Sequence, residues 1–169
     1  MTIERVMTLS RNQAAGILLD GMPIPSDMQG PEPAWIGFET PDSGYESPLR
    51  LVEIAPAMIV PMADVEVAEG NGPTLLRARA IVAFVHDLMD SPIKYALFVH
   101  CDLMDSPIKY ALFVHCRAGM YRSGAVAQWL REDYDIPESR ASNRLHVLGD
   151  TRNRRLLELL RKADDRRRS

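Results

Sequence analysis

A seven-residue apolar run, Tyr-Ala-Leu-Phe-Val-His-Cys, occurs twice in this chain, at 95–101 and at 110–116. It closes a longer repeat, because residues 87–101 recur without a single change at 102–116. Adjacent parallel strands need a crossover of about a dozen residues or more. Only the eight residues 102–109 separate Cys101 from Tyr110. The two runs therefore cannot be parallel neighbours in one sheet. Two copies also fall short of a solenoid, which needs several stacked units. The repeat reads as a tandem duplication inside a fold that uses one copy. The other is then extruded, folded back as a hairpin, or absorbed as an extension of the preceding helix, which Pro92 would interrupt.

The residues after each copy assign the working one. Copy one runs into Asp102-Leu-Met-Asp, which puts acids where an anion would sit. Copy two runs into Arg117, Ala118, Gly119, Met120, Tyr121 and Arg122, and Ser123-Gly124 then opens a helix. A glycine-bearing loop between a strand and a helix N-terminus turns backbone N–H groups inward and makes a nest for an anion. Arg122 adds a planar fork that can hold two phosphate oxygens at once. The same positive potential favours the thiolate of Cys116, and Ser123 is placed to hydrogen-bond the sulfur. A Cys-x5-Arg spacing alone is a weak signal. The specificity lies in the assembly of apolar strand, His115, Cys116, Gly119, Arg122, Ser123 and helix start.

The rest of the chain alternates strand and helix patterns. Residues 3–9 and 34–39 read as strands, as does 57–62. Ser10 is a plausible N-cap for a helix over 11–19, and Thr74 for one running through Leu88. Between them, 21–33 is a Pro/Gly-rich loop. After the central loop, 123–131 reads as a helix, Asp135-Ile-Pro-Glu138 as the start of another carrying Leu145 and Leu148, and 152–163 as an amphipathic closing helix. Trp35 is expected to be a packing residue. This order predicts an α/β fold with a central, mostly parallel sheet flanked by helices, in a single domain over 1–169.

Composition narrows the function. An apolar fraction of 46% and a charged fraction of 25% are ordinary for a globular protein. A net charge of −3 gives no support for nucleic-acid binding. The basic stretch of Lys162 and Arg166–Arg168 reads as a frayed, solvated helix end. No stretch reaches the ~20 apolar residues that span a bilayer, so no membrane partner is expected. The N-terminus lacks a secretory pattern, and the two cysteines, Cys101 and Cys116, both belong to the repeat. One working cysteine in a reducing cytoplasm is the expectation.

On these residues the chain resembles the cysteine-based protein tyrosine phosphatase superfamily, whose signature is His-Cys-x5-Arg-(Ser/Thr). It looks closest to the small dual-specificity-like and bacterial members. The motif covers His115 to Ser123, strand–helix order extends the likeness from about residue 55 to 131, and the N-terminal third matches only in α/β character. The resemblance implies a phosphocysteine intermediate on Cys116, phosphate held by Arg122 and the loop, a structural His115, and no metal or other cofactor. It also implies a general acid on a loop after an earlier strand. Val60-Pro61-Met62-Ala63-Asp64 resembles that segment, which makes Asp64 the acid and Glu66 the reserve. The implied partner is a phosphorylated protein or a small phosphomonoester. Arg117 is the loop's only basic residue besides Arg122, which argues against a phosphoinositide. His100 and Cys101 read as idle duplicates. The alternatives are a phosphate-binding module without turnover and a rhodanese-like sulfurtransferase.

Overall fold

The computed structural model describes residues 3–41, 46–54, 56–63, 65, 71–90, 109–142 and 153–168, the last three by backbone alone. Four strands, β1 (Ile3–Ser10), β2 (Glu32–Glu39), β3 (Ala57–Pro61) and β4 (Tyr110–Cys116), form one sheet in the order β1-β4-β2-β3. Every pairing is parallel. Four helices flank it: α1 (Arg11–Leu18), α2 (Leu75–Asp90), α3 (Arg122–Tyr134) and α4 (Arg154–Arg168). The expected α/β architecture is thus observed, with a sheet that is parallel throughout its described strands.

Alternation along the strands sorts the core into two layers. Leu112, Val114 and Cys116 of β4 share one layer with Ala34, Ile36 and Phe38 of β2 and with the buried stripes of α2, α3 and α4. Ala111 and Phe113 share the other with Met7, Leu9, Ala14 and Trp35, under α1. Trp35 is the packing residue its sequence context predicts, stacked on Phe113 with ring centroids 4.5 Å apart. β4 is buried along its whole length. A strand covered on both faces and both edges needs the near-continuous apolar run that the sequence supplies there.

Parts of both copies of the repeat fall within the described residues. Asp87–Asp90, the first four residues of copy one, complete the last turn of α2. Copy two supplies β4, which lies between β1 and β2. His100, Cys101 and the rest of 91–108 lie outside the described residues.

Two expectations are corrected. Asp135–Glu138 starts no helix. Asp135 takes a left-handed conformation (φ 56°) that stops α3. The chain then returns along the outer edge of β1, where the Val6 N–H donates to Pro137 O (3.0 Å) and the Ser139 N–H to Val6 O (2.7 Å). An open sheet edge with unpaired backbone groups outcompetes a helix that would begin at a proline. The C-terminal basic stretch is not a frayed end either, because α4 runs on as helix through Arg168. Leu145 and Leu148 lie outside the described residues. Among the described residues, no helix is long and apolar enough to cross a membrane.

Chain order sets a topological switch point. β1 and β4 are neighbours, yet β1 leads into α1 on one face of the sheet and β4 into α3 on the other. Adjacent parallel strands whose connections diverge leave a cleft at their carboxyl ends, where α/β proteins bind ligands. Ser10 and Cys116 are register partners at that edge.

Candidate functional site

The loop that leaves β4 is built against the start of α1. Ser10 caps α1 with a reciprocal pair: its hydroxyl accepts from the Gln13 N–H, and the Gln13 side chain accepts from the Ser10 N–H. This fixes the main chain on which the loop rests. The Arg11 N–H then donates to Arg117 O (3.3 Å). Gly119 sits at φ 75°, and a Cβ there would stand 2.5 Å from the Leu9 carbonyl carbon. Positive φ and this close approach both demand glycine. The turn spans Arg117, Ala118, Gly119, Met120 and Tyr121, and α3 begins at Arg122 with its N-terminus, the positive end of its dipole, at the loop.

Cys116 and Arg122 stand at the two ends of this turn. The sulfur is 1% exposed with two polar neighbours: the Gly119 N–H donates to it at 3.2 Å, and the Ser123 hydroxyl lies 3.3 Å away. Both can stabilise negative charge on sulfur. Arg122 is also 1% exposed, with its guanidinium carbon 5.8 Å from the centre of the Phe38 ring. Its Nη1 donates to Glu39 O (3.3 Å), to Thr40 Oγ1 (3.2 Å) and to Met62 O. All of these bonds fall on one corner of the fork. Nε is buried and has no partner among the described residues. A buried donor left unfilled is costly unless something fills it, and the Nε edge has the geometry for a tetrahedral oxyanion.

His115 is adjacent to Cys116 in sequence but faces the opposite layer of the sheet. Its Nε2 lies 2.8 Å from Ser47 Oγ, while Nδ1 is buried without a partner among the described residues. Burial pushes its pKa down to about 4, with Glu39 acting in the opposite direction and Arg122 and Arg11 adding to the fall. The imidazole is therefore neutral at pH 7. The expected structural role takes a specific form here, since the ring anchors the turn around Ser47. The Ser47 N–H in turn donates to Glu39 Oε1 (2.8 Å), and Arg50 pairs with both Glu39 oxygens (2.7 and 2.8 Å). The bond to Arg50 holds the Glu39 carboxyl below its usual range against the opposing effect of burial. Gly37 makes room for this network, because a Cβ there would meet Ser47 Oγ at 2.5 Å and His115 Nε2 at 2.6 Å.

Of the residues singled out from sequence, Cys116, Arg122 and Ser123 come together at one loop, with Arg117 to Tyr121 forming the turn between them. His115 lies behind it, on the far layer of the sheet. Asp64 and Glu66 lie outside the described residues. Sequence reasoning missed Glu39, whose carbonyl holds Arg122 and whose carboxylate holds the Ser47 turn. The one signal for it was an acid closing the apolar strand Trp-Ile-Gly-Phe. It also missed Asn153, which reaches both Tyr121 and Val65. Among the described residues no cluster of His, Cys, Asp and Glu could hold a metal ion. No family model, curated protein or solved structure matches the chain.

Proposed function

We propose that this protein is a cysteine-dependent phosphatase acting on phosphotyrosine, and on phosphoserine or phosphothreonine, in proteins or in small phosphomonoesters. The observation that carries the reading is the loop between Cys116 and Arg122 with the buried groups at its two ends. A buried guanidinium, tethered through Nη1 with Nε unfilled, ends the loop that places two hydrogen-bonding groups on a buried sulfur.

The Cys116 thiolate attacks phosphorus as the bond from phosphorus to the leaving oxygen breaks, and Asp64 protonates that oxygen. Arg122 and the loop amides stabilise the charge on the equatorial oxygens. Water then attacks the phosphocysteine and gives a proton to the Asp64 carboxylate. Sulfur leaves as thiolate, stabilised by the Gly119 N–H and the Ser123 hydroxyl. Inorganic phosphate departs and the enzyme is restored. No metal or cofactor enters the scheme, and Glu66 stands in reserve for Asp64. A free thiol as nucleophile suits a reducing cytoplasm.

Turnover of p-nitrophenyl phosphate by the wild type, Cys116→Ser and Cys101→Ser tests the reading. Cys116→Ser is expected to lose about 10⁴-fold or more, as removal of a nucleophile does elsewhere, and Cys101→Ser to retain activity. Activity surviving Cys116→Ser would end this mechanism. Sulfur transfer from thiosulfate to cyanide without phosphatase activity would instead favour a sulfurtransferase.

A further inference from the structure

Glu39 closes β2, and its main chain and side chain serve opposite ends of the anion loop. Its carbonyl accepts from Arg122 Nη1 (3.3 Å) and from the Met62 N–H (2.8 Å). Strand alternation sends its side chain to the face opposite Phe38, the face on which His115 also lies. There Oε1 accepts from the Ser47 N–H (2.8 Å) and Arg50 Nε (2.7 Å), and Oε2 accepts from Arg50 Nη2 (2.8 Å). Ser47 Oγ in turn accepts from the Leu49 N–H (3.2 Å) and lies 2.8 Å from His115 Nε2. Ser47 is thus held by Glu39 through its main chain and holds His115 through its side chain. His115 directly precedes Cys116 at the end of β4.

The pairing of Glu39 with Pro61 of β3 runs through the main chain and asks for no carboxylate. Burial makes an acid at this position costly, since Glu39 is 7% exposed. The donors from Ser47 and Arg50 offset that cost, and Arg50 matches the charge. What the side chain adds for the loop is reach, because it spans from the strand end to the turn that carries Ser47.

Building on the phosphatase reading, we infer that Glu39 is a positioning residue that fixes the two ends of the anion loop relative to each other. It holds Arg122 by its carbonyl and Cys116 through the link of Ser47 to His115. The sulfur has to stay beside the Gly119 N–H, 3.2 Å away, while the guanidinium meets the oxyanion that the sulfur attacks. A misplacement of about 1 Å at either end can cost roughly 10²-fold in rate. The role depends on side-chain length rather than on charge.

Three variants separate length, charge and the two arms. Glu39→Gln keeps the length and an acceptor for the Ser47 N–H. Glu39→Asp keeps the charge but is one methylene short. Ser47→Ala leaves Glu39 in place and cuts only the link to His115. Each is compared with the wild type for inorganic phosphate affinity by calorimetry, for alkylation of Cys116 by iodoacetamide at pH 7 with peptide mapping, and for melting temperature. Glu39→Asp is expected to weaken phosphate binding and to slow alkylation by roughly tenfold each, and Glu39→Gln to stay within about threefold of wild type in both. Ser47→Ala should slow alkylation as Glu39→Asp does, yet bind phosphate within about threefold of wild type.

A wild-type-like Glu39→Asp beside an impaired Glu39→Gln would make charge the determinant and overturn the inference. A lower melting temperature in Glu39→Asp with phosphate affinity and alkylation unchanged would overturn it as well. Should Glu39→Asp fail to fold, Ser47→Ala decides, and alkylation at the wild-type rate overturns the link to Cys116. All of these outcomes leave the phosphatase reading intact. A wild type that neither binds phosphate nor hydrolyses p-nitrophenyl phosphate removes that reading and this inference together.

Discussion

Two polar clusters sit at the two ends of α3, about 18 Å apart by helical rise, the far one partly buried and the loop one buried, and they differ in how their described groups are partnered. At the far end, His86, Tyr134 and Asp164 join the last turns of α2, α3 and α4. His86 Nε2 lies 2.8 Å from Asp164 Oδ1 and 2.9 Å from the Tyr134 hydroxyl, and that hydroxyl donates to Asp164 at 2.6 Å. Trp129 packs edge-on against Tyr134, with centroids 5.4 Å apart. The three groups hydrogen-bond one another. At the loop end, the Glu39–Ser47–His115 network and the Arg122 tethers leave Arg122 Nε and His115 Nδ1 buried without partners among the described residues. A cluster of mutually bonded groups fixes how helices pack. An open one keeps a donor in reserve for a ligand, and tertiary structure bears the cost.

Arg122→Lys tests this contrast with the largest expected effect. An ammonium cannot hold several acceptors at one corner while offering a second edge to an oxyanion. The substitution should lower kcat/KM for p-nitrophenyl phosphate by roughly 10²–10³-fold and abolish the rise in melting temperature expected of the wild type with phosphate. Equal thermal gains from phosphate in both proteins would mean that the open corner is not the phosphate site.

The acid limb of stability gives the next largest effect. His115 titrates at about 4 when folded, below its ordinary 6.5, so the unfolded chain binds the extra proton between those values. Stability is therefore fully present above about pH 6.5, falls as pH drops through that window, and stops falling from this source near pH 4. The cumulative loss is about 3 kcal/mol at ~1.4 kcal/mol per pH unit. Urea unfolding of wild type and His115→Gln at pH 7, 5.5 and 4 checks the sign. Parallel losses in the two proteins would remove His115 as the titrating group.

Asp164→Ala should have a smaller effect and act on stability alone. It leaves His86 and Tyr134 without their shared acceptor and should cost about 1–3 kcal/mol, with kcat/KM for p-nitrophenyl phosphate unchanged. A fall in kcat/KM at constant stability would show that the far cluster communicates with the loop, and the contrast between the two ends would fail.

The two clusters were also unequally legible in the sequence. Local chemistry announced the loop. An apolar strand, a glycine at the position that needs positive φ, an arginine at the start of a helix and the Ser10 capping box all lie within short windows. The supports of the loop did not announce themselves. Glu39, Ser47 and Asn153 act through partners dozens of residues away, and nothing near them in sequence distinguishes them from a strand end, a turn and a loop. The same limit explains the error at Asp135–Glu138. Its pattern suits a helix start, but the competing partner is the edge of β1, more than a hundred residues earlier. The restriction on the repeat rests on linker length alone, and the apolar run of its first copy lies outside the described residues.

The most direct test of the open cluster is to find where phosphate resides during turnover. The protein is mixed with p-nitrophenyl phosphate, quenched in acid within the first turnovers, digested and mapped by mass spectrometry. The account predicts one covalent phosphate on the peptide containing Cys116 and Arg117. Turnover with that peptide unmodified, or with the phosphate on Cys101 or on Ser123, would contradict it.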